Sequence, residues 1–221
     1  MAMAEPLEEH PNRVVVAAFD VDGTLTTRDC VVPFLRLTVG LPAVIGALAR
    51  RPFATLGAVL RRDRDALKAL AVRSLAGRSW GELLTLGEAF AHQVIRARLR
   101  PDTTTRLAWH REQGHRIVLV SASLRPYLVP LGLHLGVDAV LCCELELAEG
   151  VVTGRLDGPN CRGPEKVRRL QQWLGSQGLS ERAEVWAYGD SRGDHELLAA
   201  AARGFFVKDL VVPAQPGERS G

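Results

Sequence analysis

The sequence has few aromatic residues, no Cys-x-x-Cys pair and no uninterrupted apolar run long enough to cross a bilayer. Its 221 residues include four cysteines, of which the adjacent Cys142 and Cys143 are poorly placed to bridge each other. We therefore expect reduced thiols and a cytoplasmic setting. Residues 1–10 are polar and acidic, so we also expect no signal peptide.

The charge of the chain is unevenly distributed. Residues 31–106 contain 13 Arg and Lys against 5 Asp and Glu, a net charge of +8, whereas the rest of the chain has a net charge of −5. The basic segment lacks interleaved aromatic residues, so we expect no nucleic-acid partner. Its most apolar part, residues 31–49, is interrupted by prolines, glycines and Arg36. We therefore reject a membrane-spanning helix and retain an interfacial one as an alternative.

Apolar periodicity predicts alternating strands and helices. Residues 14–19, 117–120 and 185–188 are short apolar runs typical of buried parallel strands. The spacing also predicts strands at 139–143 and 205–207, a hairpin arm at 151–154, a helical region from about 31 to 113, and helices at 165–174 and 195–202. Ser79 and Glu82 predict a capping box at the start of one helix.

This order of elements predicts an α/β fold with a three-layer, Rossmann-like parallel sheet. The helical region after the first strand is too long for a simple crossover, so we interpret it as an inserted helical cap. The predicted core domain comprises 12–30 and 107–212, and the cap comprises 31–106. Residues 213–221 are predicted to form a disordered tail.

Asp20 and Asp22 follow the first predicted strand, and Gly23 ends it. Side chains two residues apart on an extended chain point the same way. Two carboxylates held that close are costly unless a cation joins them, and Mg²⁺ prefers such oxygen ligands. The alternative is an ordinary polar turn, because Asp-Gly is a common turn dipeptide.

Further polar groups follow other predicted strands or begin a helix. Ser121 follows the strand at 117–120, and Asp190 follows the strand at 185–188. Ligands of parallel α/β sheets bind at the carboxyl ends of strands, so these groups are expected to converge with Asp20. Lys166 lies near a helix start, which favours anions. Carboxylates, a hydroxyl and an ammonium together are typical of phosphoryl transfer.

These motifs resemble those of the haloacid dehalogenase-like phosphatase superfamily. The matching segments are Asp-x-Asp-Gly-Thr at 20–24, a serine ending a strand at Ser121, the lone Lys166, and Gly-Asp-x-x-x-Asp at 189–194. A helical insertion after the first motif resembles the subclass that contains phosphoserine phosphatases. The resemblance extends from residue 14 to about 207.

The resemblance implies a role for each residue. Asp20 would be the nucleophile that forms an aspartyl-phosphate, and Asp22 the general acid and base. The Asp20 carboxylate, the Asp22 carbonyl and Asp190 would hold Mg²⁺, with Asp194 supporting that shell through water. The residues implied to contact phosphate or substrate are Ser121, Ala122, Lys166 and Asp29.

Several of these positions leave alternatives open. Asp29 either meets the substrate or caps the first cap helix. Ser123 is a rival of Ser121, because both could face the same way, and Asp194 could instead cap a helix. Arg73 lies near the expected place of a substrate-binding cap arginine. Cys161 is interpreted as a buried thiol, since no base is paired with it.

The sequence departs from the phosphoserine phosphatase pattern near the site. Ala122 and Ser123 replace a Gly-Gly pair, Gly193 replaces an asparagine, and no cap arginine clearly matches. Residues 160–166 resemble phosphatidylglycerophosphate phosphatases. The expected substrate is thus a small or a lipid phosphate monoester, and a non-catalytic module that binds a phosphorylated ligand is the alternative from another class.

The basic and apolar stretch at 39–64 fits a lipid ester. Such a stretch could lie on an anionic membrane, which predicts peripheral contact with the inner membrane face. The alternative is that the cap helices bury their apolar faces on the core and leave the arginines solvated.

Overall fold

The apolar runs of the chain form six strands of one sheet in a computed structural model that describes residues 13–209. The strands are β1 (Val14–Phe19), β2 (Arg116–Leu124), β3 (Ala139–Ala148), β4 (Val151–Asp157), β5 (Ala183–Gly189) and β6 (Arg203–Phe206). Their order across the sheet is β4-β3-β2-β1-β5-β6. All neighbouring pairs are parallel except β3 and β4, which form the predicted hairpin.

Residues 13–209 contain nine α-helices. They are α1 (Val31–Val39), α2 (Leu41–Ala49), α3 (Pro52–Leu60), α4 (Arg64–Val72), α5 (Trp80–Ala97), α6 (Pro101–Glu112), α7 (Arg125–Leu135), α8 (Pro164–Ser176) and α9 (His195–Ala200). The helices α6 to α9 pack against the sheet, and α1 to α5 lie between β1 and β2 in the sequence. The predicted α/β fold with a mainly parallel sheet is confirmed.

The centre of the sheet is fully buried. The last four residues of β1, from Val16 to Phe19, are inaccessible to solvent. The ring of Phe19 stacks on Tyr188 of β5, and Tyr188 stacks on Phe205 of β6, with centroids 4.4 and 4.9 Å apart. Because β1 and β5 are parallel neighbours, the residues that follow them lie at the same edge of the sheet.

The helices between β1 and β2 share a hydrophobic cluster with the rest of the chain. Phe34 of α1 and Phe90 of α5 contact Tyr127 of α7, with ring centroids 4.9 and 5.3 Å apart. The predicted cap boundary at residue 106 falls inside α6, which packs on β2. The division into core and cap therefore stays a prediction. The predicted tail and residues 1–10 lie outside the described residues.

Some predicted details are wrong. The strand β2 continues to Leu124 rather than ending at Val120, and its pairing with β3 shifts register between these two residues. The predicted capping box at α5 does not form, because the Ser79 side chain makes no capping hydrogen bond. Glu82 instead forms an ion pair with Arg78 at 2.9 Å.

The longest apolar segment is folded into two helices. Among the described residues, no single helix has both the length and the hydropathy to cross a membrane. The helices α1 and α2 reach that length only as a pair, across a bend of 105°.

Candidate active site

The turn after β1 places the two aspartates. The backbone N–H of Asp20 donates to Tyr188 O at 2.9 Å, which holds the end of β1 against β5. The N–H groups of Leu25 and Thr26 both donate to Val21 O at 2.9 Å and close the turn. Gly23 has a φ of +87°, and a Cβ there would lie 2.1 Å from an Asp190 carboxylate oxygen. Glycine is thus required for Asp190 to approach this turn.

Three carboxylates converge at this edge of the sheet. Ligand oxygens of Asp20, Asp190 and Asp194 all lie within 4.8 Å of one another. Asp20 and Asp194 are buried, whereas Asp190 is exposed. Three carboxylates of which two are buried fit a divalent cation with oxygen ligands, such as Mg²⁺.

Lys166 lies among these carboxylates and is itself 2 % exposed. Its Nζ donates to Asp20 Oδ1 at 2.5 Å and to Asp194 Oδ1 at 2.6 Å. Burial opposes the charge on this ammonium, but the two carboxylates outweigh that effect and raise the pKa of Lys166. Lys166 therefore stays charged and offsets part of the negative charge of the cluster.

Burial raises the pKa of Asp20 to about 7, against the opposing attraction of Lys166. A further cation beside a buried carboxylate offsets the free-energy cost of its negative charge. Both the cost of the charge on Asp20 and the presence of three carboxylates therefore favour a bound metal ion.

Asp22 has a different environment, although it lies only two residues further on. Its Oδ2 accepts a hydrogen bond from Ser123 Oγ at 2.7 Å, and its Oδ1 accepts one from Cys30 N at 2.9 Å. Burial raises the pKa of Asp22 to about 6. A carboxyl with such a pKa can donate and accept a proton near neutral pH.

The two serines of β2 separate in the structure. Ser121 lines the cavity above the carboxylates, and its Oγ accepts from Ser123 N at 3.1 Å. Ser123 is fully buried and its hydroxyl is directed at Asp22. Residues two apart on a strand face the same way, so Ser121 and Ser123 both lie at this edge of the sheet. Ser123, however, contacts Asp22.

Asp29 lies just before Cys30, the N-cap residue of α1, so its contact with the substrate stays a prediction. Its Oδ2 accepts from Val32 N at 3.1 Å, in the first turn of α1. The residue also lines the cavity. Arg73 does not line it; its backbone packs instead against Gly154 of β4, where a Cβ would lie 3.2 Å from Arg73 Cα.

A cavity of about 610 Å³ opens above the carboxylates. One wall is apolar and comes from α1, α2 and α4; its residues are Val31, Val32, Leu41, Val44, Ile45, Leu48, Leu67 and Ala71. The cationic side chains in the lining are Arg64, Lys68, Arg162 and Lys166. The cavity therefore joins a charged floor to an apolar wall.

Lys68 was missed from the sequence, and Asn160 was noted only as part of residues 160–166, with no role of its own. From α4, Lys68 Nζ donates to Ala122 O and to Asn160 Oδ1, the latter at 2.6 Å. The Asn160 side chain in turn donates to Asp65 Oδ1 at 2.7 Å. These bonds connect α4 to the strand β2 and to the loop before α8. No motif contains Lys68, and an isolated lysine in a helical sequence is ordinarily interpreted as a solvated side chain.

The four cysteines are free and buried, which agrees with the interpretation of Cys161 as a buried thiol. Burial raises the pKa of Cys161 to about 12, so its thiolate is disfavoured. The backbone N–H of Cys161 donates to Cys143 Sγ at 3.2 Å. Cys161 therefore has a structural rather than a nucleophilic environment.

The arrangement matches a known family. A family model of haloacid dehalogenase-like hydrolases matches residues 17–199 of the chain. The chain belongs to this family. The resemblance stated from its motifs is thereby confirmed, and the helical insertion after β1 is consistent with the subclass that contains phosphoserine phosphatases.

Two individual proteins are similar to most of this chain. Protein CicA of Caulobacter vibrioides is 36% identical over 189 residues, which cover 85% of this chain and 83% of that protein. Phosphoserine phosphatase SerB2 of Mycobacterium tuberculosis is 30% identical over 188 residues, 84% of this chain but 42% of that longer protein.

A solved structure has the same fold. The crystal structure of a protein of unknown function from Bordetella pertussis Tohama I superimposes with a TM-score of 0.70 and 28% identity. The match covers 86% of this chain and 88% of that chain.

Proposed function

We propose that the protein is a Mg²⁺-dependent phosphomonoester hydrolase that acts through an aspartyl-phosphate. The observation that carries the proposal is the contact of Lys166 with both Asp20 and Asp194, beside Asp190 at the carboxyl edge of the sheet. Buried carboxylates, a charged ammonium and a neighbouring carboxyl of raised pKa are what phosphoryl transfer by a carboxylate nucleophile requires.

The roles divide between the two aspartates. A carboxylate oxygen of Asp20 attacks phosphorus, and the ester oxygen leaves with the proton of Asp22. Asp22 then takes a proton from the water that attacks the aspartyl-phosphate, which releases phosphate and restores Asp20. Ser121 and the backbone at Ala122 bind phosphoryl oxygens together with Lys166. The pKa of Asp22, raised by burial to about 6, suits both proton transfers.

Mg²⁺ would be held by the carboxylates of Asp20 and Asp190 and by the Asp22 carbonyl, with Asp194 acting through water. The ion supplies positive charge that neutralises the phosphoryl oxygens. The carboxylates of Asp20 and Asp190 are within the group of three that converges within 4.8 Å, and Asp194 completes that group.

The variant Asp20→Asn tests the nucleophile. It removes the attacking oxygen while keeping the side-chain shape, so hydrolysis of p-nitrophenyl phosphate should fall roughly 10³-fold or more. EDTA should abolish the wild-type activity, and added Mg²⁺ should restore it. The exposed Asp157→Asn on β4 is the matched control and should retain full activity.

Unchanged turnover of a folded Asp20→Asn variant would contradict the assignment of the nucleophile. A wild-type protein that binds phosphate esters in the presence of Mg²⁺ without hydrolysing them would instead support the non-catalytic binding module. Thermal melts of each variant establish that it is folded.

An amphiphilic ester is a second candidate substrate beside a small polar one. The relatives named phosphoserine phosphatase support a small ester. The apolar wall of α1, α2 and α4 supports an ester with a hydrocarbon chain, because phosphoserine has a single methylene and would leave that wall uncovered.

A screen of phosphate release with Mg²⁺ separates the two candidates. If the wall binds a chain, kcat/KM should rise about threefold to fourfold for each methylene buried along a series of alkyl phosphates. The variant Ile45→Ser should flatten that rise. Phosphoserine turning over faster than every member of the series would reject the amphiphilic ester.

A further inference from the structure

The helix α3 has an unusual combination of composition and environment. Its nine residues, Pro52–Leu60, include no charge and one hydroxyl, on Thr55. Only Ala58 is buried. Phe53 is 90% exposed and Leu60 is 74% exposed. A helix that is apolar on all sides is normally buried in a core or a membrane, whereas α3 exposes most of its residues in the part of the chain that the structure describes.

Arginines bracket this helix at both ends. Arg50 and Arg51 precede α3, and Arg61 and Arg62 follow it; all four are exposed. From residue 31 to residue 62 the chain has five arginines and no Asp or Glu. The surface formed by α3 and these four arginines, here called the α3 face, therefore offers a partner only apolar contact and positive charge.

We propose that the α3 face docks on the surface of an anionic lipid bilayer. At nine residues the helix is about 13 Å long, too short to cross the hydrocarbon layer. It can lie in the interface, with Phe53 and Leu60 among the acyl chains. Arginine side chains reach from such a depth to the headgroup phosphates, which the pairs at each end of α3 match.

The exposed apolar surface continues into the cavity. Leu41 and Ile45 of α2 are 44% and 54% exposed and also line the apolar wall. The adjoining helix α2 thus presents its apolar side both to solvent and to the site. Docking of the α3 face would turn the cavity mouth towards the bilayer, so an amphiphilic phosphate ester could enter without crossing water. This last step rests on the proposed function, whereas the docking does not.

Sedimentation with vesicles tests the docking directly. The full chain should sediment with vesicles of phosphatidylglycerol mixed into phosphatidylcholine and remain in solution with phosphatidylcholine alone. Salt at roughly 1 M, where the Debye length is about 3 Å, should release most of the protein.

One variant of the α3 face tests its charge and another tests its apolar contact, and each has a matched control. Arg50→Glu with Arg51→Glu should weaken binding about 25-fold or more, because each arginine near an anionic surface contributes about a fivefold factor. Phe53→Ser should weaken binding about tenfold or more through lost apolar burial. The matched controls are Arg96→Glu on α5 and Leu133→Ser on α7, which is 75% exposed; both should bind like the wild type.

The readouts distinguish docking from catalysis. Asp20→Asn should sediment like the wild type, and the α3-face variants should hydrolyse p-nitrophenyl phosphate at the wild-type rate. Equal binding to neutral and anionic vesicles, or binding unchanged in both α3-face variants, would overturn the proposal. A dimer in light scattering that Phe53→Ser dissociates, with no vesicle binding, would show that a second copy covers the face.

Discussion

At the scale of single residues, the site separates two aspartates that the sequence places side by side. Asp20 contacts the Lys166 ammonium at 2.5 Å, whereas Asp22 is held by the Ser123 hydroxyl and the Cys30 N–H. The carboxyl beside the ammonium is suited to attack. The carboxyl held by neutral donors can exchange a proton, because its hydrogen-bond partners among residues 13–209 carry no positive charge to fix its own.

Ser123 acts in this scheme as a positioning residue for Asp22. Removing its hydrogen bond to a carboxyl, in Ser123→Ala, should lower kcat roughly 10-fold to 100-fold and leave KM nearly unchanged. Steady-state kinetics with p-nitrophenyl phosphate measure this split. Ser123→Thr restores a hydroxyl and should recover part of the rate, and the exposed Ser180→Ala is the control. A loss of stability without a loss of kcat would instead assign Ser123 to packing.

At the scale of elements, the contact between α5 and α7 depends on one glycine. A Cβ on Gly87 of α5 would lie 1.9 Å from Pro126 O in the first turn of α7. The two helix backbones can approach this closely only because that Cβ is absent. The contact joins a helix that precedes β2 to one that follows it, and so fixes the inserted helices against the rest of the chain.

Gly87→Ala should therefore destabilise the protein by about 2–3 kcal/mol, because the backbone of α7 must move away. Gly81→Ala on the same helix meets only Ser79 Oγ, at 3.9 Å, and is the matched control. It should be neutral or stabilise by up to about 1 kcal/mol. Urea denaturation of both variants measures the difference, and equal stabilities would contradict the close approach of the helices.

At the scale of the whole molecule, a buried histidine links global stability to pH. His110 of α6 is fully buried and its ring nitrogens lie 2.8 Å from Tyr188 Oη and from His115 Nδ1. Burial, together with repulsion from His115 and Arg106, lowers the pKa of His110 to about 3. The folded protein therefore disfavours a proton that the unfolded chain accepts below its ordinary pKa, near 6.5.

The sign of the pH effect follows from this difference. Above a pH of about 6.5, His110 is neutral in both the folded and the unfolded protein. It then adds no pH dependence to the free energy of unfolding. As the pH falls towards about 3, its contribution to the free energy of unfolding should decline by up to about 1.4 kcal/mol per unit. The difference between wild type and His110→Gln, measured by denaturation at several pH values, isolates this slope. A slope unchanged in His110→Gln would reject the linkage.

Much of the fold could be predicted because each apolar run that forms a strand is a short, contiguous stretch of the sequence. The runs at 14–19 and 185–188 became β1 and β5 with small changes at the ends. The strand β2 was predicted too short, since polar Ser121 and Ser123 resemble a strand end although the chain stays extended to Leu124. The capping box at Ser79 does not form, and Glu82 is paired with Arg78.

The sequence by itself determined the family, the alternation of strands and helices, and the aspartates at the ends of β1 and β5. These follow from short patterns in which spacing along the chain is enough. The tertiary structure decided which partner each group meets: Ser123 with Asp22, Lys68 with Asn160, and the α3 face with no covering element among the described residues. Such pairings join residues far apart in the sequence, and only the packing of the helices brings them within contact distance.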